Sequence, residues 1–343
     1  MIYYILLTIF LSLFFILFII KYADKLYLID TPNERSSHIR EIPLGAGIGF
    51  ILAMIIGIIN YDIRIPTQHW YIFVSILMIL SIGIIDDISH ATPKAKIIVI
   101  IAAIVLLWWN GISIESLGTY FGHEVLLGWL ALPLTMIALV GFTNALNLID
   151  GIDGLAGTVS LFMIASFGYI GYRQADTLMI VLSSFTVASI VPFILLNFKP
   201  AKIFMGDSGS LTLGFIIAVL AILSLKYIHP IAALYFTALP IYDTFTVIIR
   251  RIRKSVPIFQ PDQTHIHHLL MKYIGDRDAE GKRTGTRRTV TILVVLQFLF
   301  MLTGLQVNHF LAIGYDIALL ALIVFLLGIV GVYYITIEIE KVE

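Results

Sequence analysis

Four polar residues recur at three-residue steps between two long apolar runs: Asn144, Asn147, Asp150 and Asp153. On a helix this spacing places the side chains on roughly one side. Three glycines interrupt the second half of the stretch, which predicts that one helix ends near Asp150 and another begins after Asp153. Carboxylates beside open backbone N–H groups suit a metal ion and a phosphate. A plain polar turn is the alternative interpretation.

Asp86 and Asp87 end an earlier apolar run. Adjacent carboxylates are unfavourable at a membrane surface unless a cation shares them. Lys94 and Lys96 follow closely and could supply that cation, or could bind a phosphate. A solvated helix end with ordinary charge pairs is the alternative.

The segment Phe204-Met-Gly-Asp207-Ser208-Gly-Ser precedes another apolar run. Asp and Ser at this place could simply cap the following helix. The flanking glycines, however, open the backbone in the way that an anion site at a helix N-terminus requires. Asp207 is therefore a candidate Mg²⁺ ligand, because Mg²⁺ typically takes one or two carboxylates together with substrate phosphates.

Three histidines, His265, His267 and His268, lie within four residues of a basic loop. Their spacing is poor for zinc chelation on a helix, and the chain has no cysteine. The basic residues nearby, Arg253 among them, favour phosphate binding. An accidental surface cluster is the alternative.

Asp243 lies near the end of the apolar run that precedes this loop. Acidic residues inside membrane segments are unfavourable and usually functional. Pairing with Arg250 or Arg251 is the structural alternative.

The composition is that of a polytopic membrane protein. Hydrophobic residues make up 59% of the 343 residues and charged residues only 13%, against about 25% charged in soluble domains. The formal net charge of zero argues against nucleic acid as a partner. Apolar runs of bilayer length predict an all-α fold with about eleven transmembrane helices. The predicted spans are 2–21, 44–60, 69–86, 96–110, 129–148, 155–172, 177–196, 211–226, 229–249, 289–306 and 311–336.

Lysine and arginine set the predicted orientation. With the N-terminus outside and the C-terminus cytoplasmic, 19 of the 22 basic residues fall on the cytoplasmic side. The polar motifs, including Ser36-Ser37-His38, share that side. Their loops span about 21–44, 86–96, 144–157, 197–210 and 250–288. We expect one transmembrane catalytic domain over residues 1–343, and a short hairpin or an interfacial helix in the outside segment 110–128.

The motifs occur in one order along the chain, and the combination resembles the polyprenyl-phosphate N-acetylhexosamine-1-phosphate transferases. The resemblance covers almost the whole chain. The segment Pro261-Asp262-x-x-His265-Ile-His267-His268-Leu is more similar to the branch that primes O-antigen, common antigen or teichoic acid than to the peptidoglycan translocase. The resemblance implies a UDP-N-acetylamino sugar as substrate and Mg²⁺ as cofactor, with Mn²⁺ as an alternative ion.

The resemblance also implies roles for individual residues. Asp207 matches the family's metal ligand, and Asp150 and Asp153 match acidic residues of the nucleotide and metal cleft. Asp86 matches the carboxylate that handles the lipid phosphate, with Asp87 beside it. Asn197 and Phe204 match positions near the uridine, and His267 and His268 match histidines near the diphosphate. The other candidate substrate-binding residues are Lys94, Lys96, Asn144, Asn147, Ser208, His265 and Arg253, and Asp150 is a second candidate metal ligand.

Two features depart from the family pattern. Gln263 and Thr264 stand where relatives often carry a basic residue, which leaves the choice of sugar open. Gly45-Ala46-Gly47 replaces a more usual pair of glycines.

We therefore expect an enzyme of the bacterial cytoplasmic membrane, active on the cytoplasmic face. It would transfer N-acetylhexosamine 1-phosphate, with N-acetylglucosamine favoured, from a UDP-sugar to undecaprenyl phosphate and release UMP. A one-step displacement and a phospho-enzyme route both fit these residues. The rivals are the peptidoglycan translocase and a cation-coupled transporter, although transporters place their acidic residues near the bilayer midplane. The oligomeric state stays open, a homodimer included.

Overall fold

The protein is described here by a computed structural model, which covers residues 1–31, 41–198, 200–257, 264–275 and 282–341. Two features singled out in the sequence, the segment Ser36-Ser37-His38 and Gln263, lie outside the described residues.

The described residues are mostly helical. The helices are α1 (Ile2–Leu26), α2 (Ala46–Tyr61), α3 (Arg64–Gln68), α4 (Trp70–Ser89), α5 (Pro93–Trp109), α6 (Ala131–Ile149), α7 (Leu155–Arg173), α8 (Thr177–Asn197), α9 (Gly206–Ser224), α10 (Pro230–Phe236), α11 (Ala238–Lys254), α12 (Ile266–Gly275), α13 (Lys282–Ala312) and α14 (Ala318–Lys341). Two antiparallel strand pairs join β1 (Ile29–Asp30) to β2 (Ile42–Pro43) and β3 (Ser116–Tyr120) to β4 (His123–Leu126).

Eight of the described helices are long and apolar enough to cross a membrane, or nine if the bent pair α10 and α11 forms one span. The prediction of an all-α polytopic membrane protein is thereby confirmed. A helix lies at each of the eleven predicted spans, but α2 and α5 have only 16 and 17 residues. An 85° bend breaks the predicted ninth span between α10 and α11. The number of crossings and the orientation stay predictions.

The described residues form two compact units, and the first is built around α9. This unit comprises residues 1–114 and 128–227. Within it, α9 packs against α2, α4, α6, α7 and α8. In the apolar part of α9, 78% of the residues are buried, against 22% in α1. Because α9 is the central helix, its N-terminal end is enclosed by its neighbours. A single catalytic domain over the whole chain stays a prediction.

Two glycines let the N-terminal end of α9 come into backbone contact with its neighbours. A Cβ on Gly47 of α2 would lie 2.1 Å from the backbone nitrogen of Gly209. A Cβ on Gly83 of α4 would lie 2.5 Å from the Cα of Ser208. A side chain at either position would therefore displace the backbone of α9, since a close-packed interior has no room to absorb it.

The second unit comprises residues 115–127 and 228–343. In its core the ring of Phe325 packs edge-on against Tyr235 and Tyr242, with centroid distances of 5.2 and 4.9 Å. The hydroxyl groups of these tyrosines donate to the carbonyls of Ala321 and Phe325, both at 2.9 Å. These contacts join α10 and α11 to α14.

Gln297 of α13 stabilises the break between α10 and α11. Its Nε2 donates to the carbonyl of Phe236 at 2.7 Å, and its Oε1 accepts from the N–H of Leu239 at 3.2 Å. The Gln297 side chain is fully buried. A bend in an apolar helix frees backbone polar groups that lipid cannot satisfy, and this amide replaces the missing partners.

The segment 110–128, which is predicted to lie outside, contains the hairpin of β3 and β4, so the hairpin interpretation is confirmed. The N–H of Phe121 at its turn donates to Asp316 Oδ2 at 2.6 Å. His229 Nε2 lies 3.3 Å from the carbonyl of Thr119. The hairpin is thus attached to the start of α10 and to the connection between α13 and α14.

The orientation can be measured by cysteine labelling, because the chain has no native cysteine. His123 of β4 and Lys94 at the start of α5 are exposed, whereas His267 is too buried for labelling. In intact cells we expect an impermeant maleimide to label His123→Cys at once and Lys94→Cys only after permeabilisation. The reverse pattern would overturn the predicted orientation and with it every loop assignment.

The glycine contacts can be tested by adding a single methyl group. We expect Gly47→Ala and Gly83→Ala each to destabilise the protein by about 1–3 kcal/mol, as overpacking of a core does, and to lower its thermal unfolding temperature in detergent. The matched control is Gly141→Ala on α6, where no atom lies within 4 Å of an added Cβ. Parent-like unfolding of Gly83→Ala would show that α9 is not held so closely.

Candidate active site

The first unit brings together acidic side chains from three places in the chain. Asp86 and Asp87 lie in the last turn of α4, Asp150 and Asp153 in the connection between α6 and α7, and Asp207 in the first turn of α9. Their mutual proximity is apparent in the charges that act on Asp150, which include those of Asp87, Asp153 and Asp207. Elements far apart in sequence therefore place these carboxylates at one end of the unit.

The helix boundaries around these residues agree only in part with the sequence. The structure ends α6 at Ile149 and begins α7 at Leu155, as predicted. The start of α9 was predicted at residue 211 but lies at Gly206. Asp207 is therefore inside the helix, and it does not act as the plain N-terminal cap that the sequence allowed.

Asp87 caps α9 from a different helix. Its Oδ1 accepts from the N–H of Asp207 at 2.7 Å, and its Oδ2 accepts from the N–H of Ser208 at 3.1 Å. The first N–H groups of a helix lack partners within it, and the positive end of the helix dipole attracts a carboxylate. Gly206 permits this approach, because its φ is 73° and a Cβ there would lie 2.5 Å from Asp87 Oδ2. Asp87, predicted to be catalytic, thus holds the backbone around Asp207.

Lys96 joins Asp86 to Asp207. Its Nζ lies 2.7 Å from Asp86 Oδ2 and 2.5 Å from Asp207 Oδ2. The three side chains are between 15% and 24% exposed. Water therefore reaches these ion pairs but screens them only partly. Lys96 is therefore the cation that the paired carboxylates require. Lys94 is exposed and forms no ion pair with any residue in the described part of the chain.

Asn147 holds the other oxygen of Asp207. Its Nδ2 donates to Asp207 Oδ1 at 2.9 Å and to Ser210 Oγ at 2.8 Å. Asn144, one turn earlier, donates instead to the carbonyl of Val140 in its own helix, at 2.7 Å. Equal spacing in the sequence therefore gives unequal roles, since Asn147 and not Asn144 is bonded to Asp207.

Asp150 follows the last residue of α6 and is partly buried. Burial raises the pKa of its carboxyl group well above the usual value, and the charges of Asp207, Asp87 and Asp153 raise it further. Like charges and a low-dielectric surrounding both disfavour the ionised form. The site can therefore accept additional positive charge at Asp150.

A divalent cation fits these side chains only with help from the substrate. The described residues contain no cluster of three acidic or histidine side chains arranged to hold a metal ion. Mg²⁺ commonly takes one or two carboxylates and completes its shell with water and substrate phosphates. Asp207 and Asp150 offer such carboxylates, and Lys96 neutralises Asp207 in this structure.

Asn197 connects two loops beside the carboxylates. Its Oδ1 accepts from the N–H of Gly154 at 2.8 Å, and its Nδ2 donates to the carbonyl of Ile203 at 2.9 Å. Only 3% of Asn197 is exposed, and its amide holds the two loops together; its predicted place near the uridine stays a prediction. Asp153 adds to the same junction, because its Oδ2 accepts from the N–H of Ala201 at 3.2 Å.

Phe204 and Ser208 lie on either side of Asp207. Phe204 is partly buried, and its backbone bonds to Pro43 and Ala46 at 2.8 and 3.1 Å. Ser208 is fully buried, because its backbone lies directly against Gly83. The predicted contact of Ser208 with the substrate stays a prediction.

The second unit holds the histidine segment at the start of α12. His265 and His267 are 4% and 1% exposed, whereas His268 is partly exposed. Burial lowers the pKa of His267 to about 3, so its ring is neutral near pH 7. Of the three histidines predicted to meet phosphate, His268 is therefore the one whose ring is accessible.

Asp243 has a different partner from the one that the sequence offered. Its Oδ2 lies 2.6 Å from His265 Nδ1, and its Oδ1 accepts from the N–H of Ile266 at 2.6 Å. Its observed partners therefore belong to the histidine segment, whereas the structural alternative named Arg250 or Arg251. Sequence reasoning missed this contact because 22 residues separate the partners.

Arg253, a candidate for substrate binding, contacts the protein itself. Its Nη1 donates to the hydroxyl of Tyr333 at 3.0 Å, and its guanidinium lies 5.3 Å from the centroid of that ring. The contact joins α11 to α14. Nothing in the local sequence indicates it, since the two residues are 80 positions apart.

Comparisons with known proteins place these observations in a family. The model of glycosyl transferase family 4 matches residues 69–225. This range contains α4 to α9 and hence all five carboxylates of the first unit. It ends before the histidine segment.

Curated relatives match over most of their length. A probable undecaprenyl-phosphate N-acetylglucosaminyl 1-phosphate transferase of Bacillus subtilis is 33% identical over 293 residues, which cover 83% of this chain and 78% of the relative. An undecaprenyl-phosphate alpha-N-acetylglucosaminyl 1-phosphate transferase of Escherichia coli K12 is 35% identical over 270 residues, with 75% and 73% covered. A relative of the same name from Yersinia pestis is 33% identical over 263 residues, with 74% and 72% covered.

The capping role of Asp87 can be separated from a chemical role by measuring stability. We expect Asp87→Ala to lower the free energy of unfolding by about 0.5–2 kcal/mol, the usual range for loss of a cap. Asp87→Asn, which keeps an acceptor oxygen, should lose less. The control is Asp24→Ala on α1, whose side chain is exposed. If Asp87→Ala unfolds like the control, Asp87 does not stabilise α9.

Proposed function

The chain belongs to glycosyl transferase family 4, and from that premise we propose that it transfers N-acetylglucosamine 1-phosphate from UDP-N-acetylglucosamine to undecaprenyl phosphate. The products are an undecaprenyl-diphosphate sugar and UMP. The supporting observation is the group formed by Asp86, Lys96 and Asp207 within the matched range. The relatives that extend over this range carry this activity in their names.

The reaction joins two negatively charged phosphate groups. An oxygen of the lipid phosphate attacks the β-phosphorus of the UDP-sugar, and the bond from that phosphorus to the bridging oxygen breaks, so that UMP leaves. A phosphate monoester has a second pKa near ~6, so the attacking oxygen is largely ionised at neutral pH and needs no strong base. Catalysis then consists mainly of orientation and of stabilising negative charge.

The side chains of the first unit supply these two effects. Lys96 carries a positive charge between Asp86 and Asp207, where it can meet a phosphate oxygen. Asp86 is bonded to Lys96. It is therefore better suited to orienting the lysine than to accepting a proton as a base. Asn147 fixes the orientation of Asp207. The bonds of Asn197 and Asp153 hold the loops around the site at fixed positions.

The charge balance supports a divalent cofactor. Five carboxylates and one lysine leave this end of the unit negative, and the substrate adds a diphosphate. Asp207 and Asp150 would hold Mg²⁺, with Mn²⁺ as an alternative, and the ion would neutralise charge on the phosphates. The raised pKa of Asp150 is consistent with a carboxyl group that ionises fully when a cation is bound.

The alternative functions considered from the sequence receive less support. The relatives named above act on N-acetylglucosamine according to their names, which does not favour the peptidoglycan translocase, and none of them is named a transporter. The cytoplasmic location of the site rests on the distribution of basic residues. A homodimer and the identity of the polymer that is primed stay predictions, as does the influence of Gln263 and Thr264 on the sugar.

The function is tested with the purified full-length protein, undecaprenyl phosphate and a series of UDP-sugars. We expect UMP release and a lipid-linked product with UDP-N-acetylglucosamine, dependent on both the lipid and Mg²⁺. If UMP is released only with UDP-N-acetylgalactosamine, the reaction class stands and the transferred sugar is N-acetylgalactosamine. Release only with UDP-MurNAc-pentapeptide, or no release with any of them, would contradict the proposal.

Asp207→Asn tests the cofactor within the same assay. Removing one carboxylate from the cation should lower Mg²⁺-dependent UMP release roughly 10²-fold or more, since a bound metal contributes several kcal/mol of charge stabilisation. Mg²⁺ should also raise the thermal unfolding temperature of the parent but not of the variant, because an ion that binds the folded state stabilises it. Asp24→Asn, an exposed control, should behave like the parent. Activity within tenfold of the parent would remove Asp207 from the metal site.

A further inference from the structure

Asp243 uses both oxygens of its carboxylate to hold the beginning of α12. Oδ2 lies 2.6 Å from His265 Nδ1, and Oδ1 accepts from the N–H of Ile266 at 2.6 Å. An ionised carboxylate can only accept, so the hydrogen in the first contact belongs to Nδ1 of His265. Asp243 and His265 are 1% and 4% exposed. Charge-assisted bonds of this length, shielded from water, fix both residues firmly.

The same face of α11 holds the residue before the histidines. Arg250 follows Asp243 by seven positions, which is two helical turns. Its Nη1 donates to the carbonyl of Thr264 at 2.5 Å. Three consecutive residues, Thr264, His265 and Ile266, are therefore fixed by two buried charges of α11.

The rings of the three histidines contact one another in sequence order. The ring of His265 stacks on His267, with centroids 5.7 Å apart and an interplanar angle of 21°, and the ring of His267 lies 4.2 Å from that of His268. His267 is 1% exposed, and neither of its ring nitrogens has a hydrogen-bond partner among the residues that the structure describes. It thus acts as a spacer between the clamped His265 and the accessible His268.

We propose that Asp243 is a positioning residue for the reaction. It clamps His265 and the N–H of Ile266, and so fixes the orientation in which His268 is presented. The inference rests on the proposed function, because the role of His268 in the reaction is the one that the family resemblance implies for this histidine. Asp243 touches no substrate in this account and acts only through the segment that it holds.

Hydrogen exchange tests the clamp without reference to activity. In the full-length protein in detergent, Asp243→Ala should speed amide exchange within residues 264–275. Val247→Ala, the matched control one turn further along α11 and 4% exposed, should not. His265→Ala removes one end of the clamp while keeping the carboxylate, and it should speed exchange as Asp243→Ala does. Unchanged exchange in both variants would overturn the proposal, and His265→Ala carries the test alone if Asp243→Ala does not fold.

Kinetics test the link to the reaction. We expect Asp243→Ala to lower kcat about 10²-fold, as small displacements of positioned groups do, and to change KM for the UDP-sugar little. Asp243→Asn keeps an acceptor for Ile266 and a polar group for His265, and it should recover to within about tenfold of the parent. The kcat of the double variant Asp243→Ala, His265→Ala should be no lower than that of the slower single variant. The effects of two residues that act through one contact do not add.

The two proposals fail in different ways. If the parent releases no UMP, the proposed function fails, while the exchange data still decide whether the clamp exists. If the parent is active and Asp243→Ala turns over like Val247→Ala despite faster exchange, the positioning role is overturned. Additive losses in the double variant would also overturn it, since Asp243 would then act on something other than His265.

Discussion

Repulsion between carboxylates is the constraint on which the first unit depends. Five of them lie at one end of it, and each is stabilised differently. Asp87 faces the N–H groups of α9, Asp86 and Asp207 share Lys96, and Asp153 accepts a backbone bond. Asp150 has the least compensation, and its pKa is raised accordingly. The unit thus compensates most of its negative charge with its own groups. The negative charge that is left uncompensated can bind a cation, which in turn can bind the substrate phosphates.

Close approach of helices makes this arrangement possible. Asp87 can reach the first N–H groups of α9 because Gly206 has a positive φ and no side chain, and because Gly83 lets α4 touch the backbone at Ser208. Charge and packing are therefore interdependent. A larger residue at Gly83 would move the α9 backbone away from Asp87, and with it the carboxylate of Asp207.

The sequence predicted what depends on local pattern. Apolar run length located the helices, and the glycines after Asp150 located the break between α6 and α7. Lys94 and Lys96 were both candidates for the cation beside Asp86, and the structure places Lys96 there. Features that depend on distant partners were missed. The start of α9 looked like a loop, since Asp87, which stabilises its first turn, lies 120 residues earlier.

The second unit shows the same limit. The apolar run from 229 to 249 was predicted as one span, although Pro240 inside it favours a break. The size of the bend, 85°, could not be predicted, because Gln297, which bonds to the broken backbone, lies about 60 residues away. Asp243 was recognised as unusual, and arginines of its own helix were the only structural partners that the sequence suggested. Its contact with His265 depends on how residues 264–268 fold back on α11, which hydrophobic periodicity does not encode. The sequence therefore indicated which polar residues are unusual, but it did not predict the individual partners of those residues.

The distance between Asp87 and α9 has a consequence for biogenesis. Chains are made and inserted from the N-terminus, and early segments fold first. The carboxylate of Asp87 therefore reaches the membrane 120 residues before the N–H groups that it will bind. Until α9 is inserted, α4 carries two adjacent acids that only nearby cations such as Lys94 and Lys96 can compensate. When α9 is made, the residue that caps it is already present in the chain, so the first turn of the helix depends on no segment that is synthesised later.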